Sequence, residues 1–258
     1  MGGKRGMGAG GGHLRGDDPQ APEVSDMRGD DHSETGMGHG AGRDPAWRRE
    51  MRRCTKCRQM DPPLIHYDPE GGWAHPLFHE EGNTDAEVLF IVEAPNYADT
   101  YDPTKQRLTV RPDTDPSGRF FDHILRHVLG LKPEDVYVTN AVLCLPRKRK
   151  GRYYVLPALV QACSENLRRI LVEVDPKVVV TQGRKALHAI KNIERHRLEF
   201  KEAVAKPHEW FGRILFPVYH TSALARVTRS ARQQEEDYAK LRELLQELGC
   251  FVRPLPAT

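Results

Sequence analysis

Apolar and polar positions follow two periods along this chain. Four apolar runs have the length of strands: Val88–Val92, Val136–Cys144, Val178–Thr181 and Ile214–His220. Between and after them lie stretches whose apolar residues recur at three and four, the spacing of one helix face. The first takes Phe120, Phe121, Ile124, Leu125, Val128 and Leu129 and closes at Gly130. The second runs from Pro157 to Val174 and is stopped by Pro176. A third opens after Gly183 through Ala186, Leu187 and Ile190. The last spans Ser230 to Leu248, with Tyr238, Leu241, Leu244 and Leu245 on one face and Gly249 at its stop. Continuous apolar runs bounded by turn residues suit strands buried on both faces. Strands alternating with helices predict an α/β fold: a single three-layer α/β/α domain around a mostly parallel central sheet. Pro217, inside the fourth run, suits an edge position.

Composition divides the chain. Residues 1–46 hold 13 of its 22 glycines, almost no aliphatic residues and no aromatic ones. Such a segment buries too little apolar surface to offset its ordering entropy and reads as a disordered tail, leaving 47–258 as the folded domain. The tail carries a net charge of −3 and the remainder +6. That balance permits a polyanionic partner without demanding one. The tail lacks the apolar core of a signal peptide, and no run is long enough to span a bilayer. The expectation is a soluble, cytoplasmic monomer without membrane attachment. Five cysteines, an odd number, argue against a disulfide framework. Cys54-Thr-Lys-Cys57 is a C-x2-C knuckle of the kind that holds a metal or cluster, and Cys144 and Cys163 bracket a basic loop, Arg147-Lys148-Arg149-Lys150-Gly151-Arg152.

Three of the strand runs end in polar groups. The first is followed by Glu93-Ala94-Pro95 and then Asp99, the second contains Asn140, and the fourth ends at His220, followed by Thr221, Ser222, Leu224 and Arg226. The carboxyl ends of parallel strands converge on one side of a sheet, where open α/β folds bind ligands. Singly, each residue has an ordinary reading: a turn asparagine, a structural histidine, a solvated acid. Together they make a chemical set. A carboxylate orients a water, a carboxamide matches one edge of a nucleobase, and an imidazole donates to charge developing on an oxygen.

That order of motifs resembles the uracil-DNA glycosylase superfamily over roughly residues 50–248, and most of all its iron–sulfur branch, family four. The branch has a Gly-Glu-Ala-Pro-Gly loop with acids after it, a strand ending in Thr-Asn, and a late His-Pro-Ser-Ala-Leu-Leu-Arg loop. Its four cysteines follow the order of Cys54, Cys57, Cys144 and Cys163. The resemblance implies a monofunctional enzyme of base excision repair, which flips uracil or another deaminated base out of DNA and hydrolyses its glycosidic bond. It implies that Asp99 positions the water, that Glu93, Ala94 and Pro95 line the base pocket with Ser222, that Asn140 reads the base, and that His220 stabilises the departing anion. Leu224 falls at the apolar wedge inserted into the duplex and Arg226 at a phosphate contact, with Arg147, Lys148, Arg149 and Lys150 as further DNA contacts. Four thiolates suit a [4Fe–4S] cluster or zinc alike, and the resemblance implies the cluster.

The sequence also departs from the branch. Val92 and Asn96 replace the two loop glycines, Thr221 replaces the proline after the histidine, and no aromatic residue stands in register for stacking on the base. These departures leave an alternative, a cluster-stabilised protein that binds damaged or abasic DNA without removing a base.

Overall fold

The computed structural model describes residues 45–69, 72–78, 83–95 and 115–255. Residues 1–44 of the expected tail and Asp99 lie outside the described residues; its last two, Pro45 and Ala46, open the first helix. The centre is a five-stranded sheet. Its members are β3 (Val88–Val92), β4 (Tyr137–Asn140), β7 (Val178–Gln182), β8 (His208–Trp210) and β9 (Arg213–Val218), in the order β4-β3-β7-β9-β8. Four strands are parallel, and β8 is an antiparallel strand on one edge. The runs are apolar because both faces of the sheet are covered. One face packs on α1 (Ala46–Arg52), α3 (Pro157–Val174), α4 (Arg184–Ala189) and the short α5 (Phe200–Ala203) through Leu89, Ile91, Val179 and Leu215. The other packs on α2 (Pro116–His123), the π-helical turn Ile124–Leu129 that continues it, and α7 (Ala231–Glu247). That second core holds Phe90, Val138, Val180, Phe216 and Tyr238.

The expected helices form where the sequence places them, for visible reasons. Asp115 caps α2 by accepting from the Ser117 and Gly118 amides, and Gly130 ends the turn after it in the left-handed region at φ 69°. Pro157 opens α3 at its first turn, where no intrahelical donor is lost. Ser230 and Gln233 form a capping box on α7.

Three expectations are corrected. The second strand ends at Asn140 rather than Cys144, because its partner β3 stops at Val92; only the Ala141 and Val142 amides still reach back, to the carbonyls of Val92 and Glu93. The basic run is a β-hairpin, β5 (Lys148–Arg149) and β6 (Arg152–Tyr153), turned by Lys150 and Gly151 at φ 47° and 78°. The strand carrying Pro217 is interior, paired to both β7 and β8. Pro217 is tolerated because β8 pairs only as far as Leu215; past it the flank uses only the Pro217 carbonyl, which accepts from the Ala205 amide, so no ladder bond needs the missing N–H.

The segment around the C-x2-C knuckle forms a flank on this sandwich. It includes α1, a second two-residue ribbon of β1 (Tyr67–Asp68) and β2 (Gly72–Trp73), and a single bridge from Ile65 to Pro146 beside the hairpin. Its own small core contains Cys57, Leu64, Ile65, Val142, Cys144, Leu145 and Leu159. Among the described residues no helix is long and apolar enough to cross a membrane.

Candidate active site

Strand register brings the candidate residues together. Val92 is level with Asn140 on one side, and one step past the Ile91–Thr181 pair it stands level with Gln182 on the other. Gln182 in turn is paired with Val218. Side chains alternate along a strand, so residues two apart share a face. Val136 and Val138 before Asn140, Val88 and Phe90 before Val92, Val178 and Val180 before Gln182, and Phe216 before Val218 all belong to the core under α2 and α7. Asn140, Val92, Gln182 and Val218 therefore form a row on that face, at the carboxyl edge of the sheet. His220 follows Val218 by two residues and continues the parity.

Asn140 is 2% exposed, and its amide nitrogen has no hydrogen-bond partner among the described residues. A buried amide left unpaired costs about 1–3 kcal/mol. Folded proteins rarely retain such a group without a role for it. It is a donor held ready at the strand end.

His220 is held by its own loop. The Ser222 amide donates to its Nδ1 at 3.0 Å, so the ring proton of the neutral imidazole resides on Nε2. Burial lowers its pKa below the ordinary 6.5, while the charges of Glu93 and Asp115 pull the other way. The neutral, Nε2-protonated form is the one that donates without carrying charge. Asp115 had no place in the sequence reading; its signal was only that of a helix cap, and the fold puts that cap beside His220.

Ser222 itself caps α6 (Ala223–Thr228), its Oγ accepting from the Ala225 amide at 3.3 Å. The sequence expectation made it a base-pocket residue; what the structure gives it is the orienting of His220 and the start of α6. Leu224 projects from that helix at 82% exposure, and Val227, one turn on, at 85%. Val227 had not been singled out. The Arg226 guanidinium turns back, donating to the Thr221 carbonyl at 2.8 Å and lying over the Phe120 ring. The corner after α6 is anchored by a two-bond ion pair from Arg229 to the buried Asp237, and by Gln234 donating to the Arg229 carbonyl.

Glu93 pairs with Lys185 on α4. Ala94 packs at the margin of the flank's small core, and Pro95 is buried. The side chains of Arg147, Lys148, Arg149 and Lys150 are all exposed along the hairpin, Lys148 over the Tyr153 ring.

The four cysteines come from three segments. Cys57, Cys144 and Cys163 are buried and Cys54 partly so. Burial pushes the Cys163 thiol up to about 12 and raises the Cys144 thiol well above its ordinary range, each reinforced by charge on the other sulfurs. Two N–H groups already point at sulfur: the Leu143 amide to Cys163 at 3.4 Å, and Asn166 Nδ2 to Cys54 at 3.6 Å. Among the described residues, no three His, Cys, Asp or Glu side chains are closed around a common metal position. Cys250 is buried beyond α7, away from this set.

Residues 79–248 match the profile of the Uracil DNA glycosylase superfamily. A Type-4 uracil-DNA glycosylase of Saccharolobus solfataricus is 25% identical over 201 residues, covering 76% of this chain and 83% of its own length. Type-4 uracil-DNA glycosylases of Archaeoglobus fulgidus and Thermotoga maritima are 28% and 27% identical. The alignments cover 76% and 66% of this chain, and 90% and 83% of theirs.

Proposed function

The chain belongs to the uracil DNA glycosylase superfamily, and on that premise we propose that it removes uracil from DNA as a monofunctional glycosylase, with water as the nucleophile. The observation that carries this reading is the buried amide of Asn140, without a partner among the described residues, at the same sheet edge as His220, whose pKa burial lowers.

A stacked nucleotide is out of reach of any side chain at the bottom of a sheet edge, so the base must be extruded. Leu224, rigidly based on the Arg229–Asp237 corner, fills the space the base leaves; an inserted apolar side chain offsets part of the unstacking cost. The extruded base rests above Val92, with Asn140 reading one edge. As the C1′–N1 bond breaks, its electron pair passes into the ring and onto the base oxygen that faces His220. The Nε2–H meets that charge, a donor of the kind worth roughly 10²–10³ in rate. Water, positioned by the Asp99 carboxylate, adds to C1′ and gives up its proton to that carboxylate and from there to solvent, while the base leaves as the anion and takes a proton from solvent. The products are the free base and an abasic deoxyribose. The exposed cations of the hairpin track phosphates and lower the cost of approach.

Cys54, Cys57, Cys144 and Cys163 are the residues that would hold a [4Fe–4S] cluster. Four thiols with N–H donors on two sulfurs suit it. A bound cluster would supply a structural clamp, joining α1 and the knuckle to the segment under the hairpin.

The test is base release from single- and double-stranded oligonucleotides carrying uracil, hypoxanthine or xanthine, by the parent and by Asp99→Ala and Asn140→Ala, with the visible spectrum of the same sample. Uracil release lost in both variants, and a brown broad absorbance, are the expected results. Tight DNA binding without any released base would move the protein to the binding alternative.

A further inference from the structure

We propose that Gln182 is a second base-contacting residue, donating a hydrogen bond to the base on the His220 side, opposite Asn140. The inference rests on the glycosylase reading and extends its site by a residue that the motifs do not contain. Gln182 ends the central strand β7 and is 3% exposed. Its amide nitrogen, like that of Asn140, has no partner among the described residues. The two carboxamides flank Val92 in one row on one face. With strands ~4.8 Å apart, their backbones stand about 10 Å apart, room for one flat ring between two side-chain amides.

The next residue fixes the side on which Gln182 lies. Gly183 sits at φ 93°, and its amide donates to the Val218 carbonyl at 2.8 Å. A Cβ at Gly183 would lie 3.6 Å from the His220 Cβ. The end of β7 therefore abuts the histidine loop. Asn140, two strands away at the sheet's edge, faces the other side of the same space. A base above Val92 then meets a donor from each flank. The favoured ligand is a ring with a carbonyl oxygen at both flanks, a 2,4-dioxopyrimidine. The oxygen facing His220 receives two donors, Nε2–H and the Gln182 amide. Charge grows on that oxygen as the C1′–N1 pair moves into the ring, so the second donor acts most strongly late in the bond cleavage.

Leaving-group chemistry separates this role from packing. Fluorine at C5 withdraws electrons and stabilises the ring anion, so a better leaving group needs the donor less. The experiment is single-turnover release of uracil and of 5-fluorouracil from otherwise identical oligonucleotides by the parent, Gln182→Met and Gln182→Glu, with thermal unfolding of each protein. Gln182→Met keeps the volume and removes the donor; it is expected to slow uracil release about 10²-fold and 5-fluorouracil release by a clearly smaller factor. Gln182→Glu, which sets a carboxylate against the developing anion, is expected to be slower than Gln182→Met on uracil. An unchanged rate in Gln182→Met overturns the proposal, and so does an equal loss on both bases accompanied by a lowered unfolding temperature. A parent that releases neither base overturns the glycosylase reading and this inference with it; an active parent matched by Gln182→Met overturns the inference alone.

Discussion

The carboxyl edge of the sheet and the cysteine-bearing flank are built in opposite ways. At the edge, Glu93, Asn140, Gln182 and His220 each stand on a strand or within two residues of one, and neighbouring strands fix their height. Asn140 and Gln182 are both level with Val92, and His220 is pinned by the Ser222 amide. The flank rests on ribbons two residues long, one isolated bridge and a small core of its own. The cationic side chains of its hairpin, Arg147 to Lys150, stand in solvent. On the proposed function the difference gives the two regions different work. A chemical step depends on placement within a fraction of an ångström, which a packed ladder supplies. Tracking a polyanion depends on charge that adapts to the backbone it meets, which an exposed hairpin supplies. Damage at the edge should therefore change the rate of base release at constant DNA affinity, and damage in the flank should change affinity at constant rate.

Asn140→Ala tests the first half with the largest effect. It should lower single-turnover uracil release by about 10³, at the upper end for one preorganised donor. Affinity for the same oligonucleotide, read by fluorescence anisotropy, should stay within a few-fold. Equal losses in rate and affinity would break the comparison by making Asn140 a packing residue.

The hairpin tests the second half. Replacing Arg147, Lys148, Arg149 and Lys150 together by alanine should reduce the slope of log affinity against log salt by up to about 3.6, at ~0.9 per duplex phosphate contact. Release at saturating protein should be unchanged. A slope that does not move would remove the hairpin from the DNA interface.

Leu224 lies between the two regimes, on an exposed helix whose base is rigid. Leu224→Ala should slow release from duplex DNA about 10-fold, the equivalent of ~1.4 kcal/mol of lost apolar burial. Release from single-stranded DNA, where there is no stack to open, should hardly change. Equal losses on both substrates would mean that Leu224 touches the extruded nucleotide rather than the gap it leaves.

The two regions also differ in how far the sequence reveals them. The sheet is legible because a strand buried on both faces is a continuous apolar run, and α3 because Pro157 and a helical apolar period mark its whole length. Asn140 is legible because Thr-Asn follows such a run. Gln182 occupies the matching position on β7, but a lone glutamine after Thr181 has no motif to mark it; only the register across three strands gives it meaning. The second strand is overread to Cys144 because apolar sequence continues after its partner has ended. In the flank, the ribbons are built from charged and aromatic residues without alternation, so the hairpin reads as a loop; its one local signal is Lys150-Gly151 at a turn needing two positive φ angles. The short edge strand β8, His208-Glu209-Trp210, has no apolar run at all and exists only by pairing with β9. Asp115 shows in sequence as a cap and acquires its second role from the place where α2 begins.

The smallest effect separates the regions by pH. Burial lowers the pKa of His220 at the edge and of His75 in the flank, with Arg52 adding to the effect at His75. His196, whose Nε2 lies 3.0 Å from the Leu187 carbonyl, is lowered as well. For each, the unfolded chain takes up a proton near the ordinary 6.5 while the folded chain resists it. Below 6.5 the unfolded state binds more protons, so stability falls as pH falls toward the folded values; above 6.5 both states are neutral and the contribution is flat. Urea unfolding across this window should show that slope in the parent. His75→Gln should reduce the slope without altering how kcat/KM depends on pH. His220→Gln should lower kcat/KM and also flatten its acid limb, because in the proposed mechanism the neutral Nε2–H is the form that donates to the departing base. An acid limb that survives in His220→Gln would assign the titrating group to one of the carboxylates near the pocket. The separation of rate from stability at the histidines would then fail, while the separation drawn from Asn140 and the hairpin would stand.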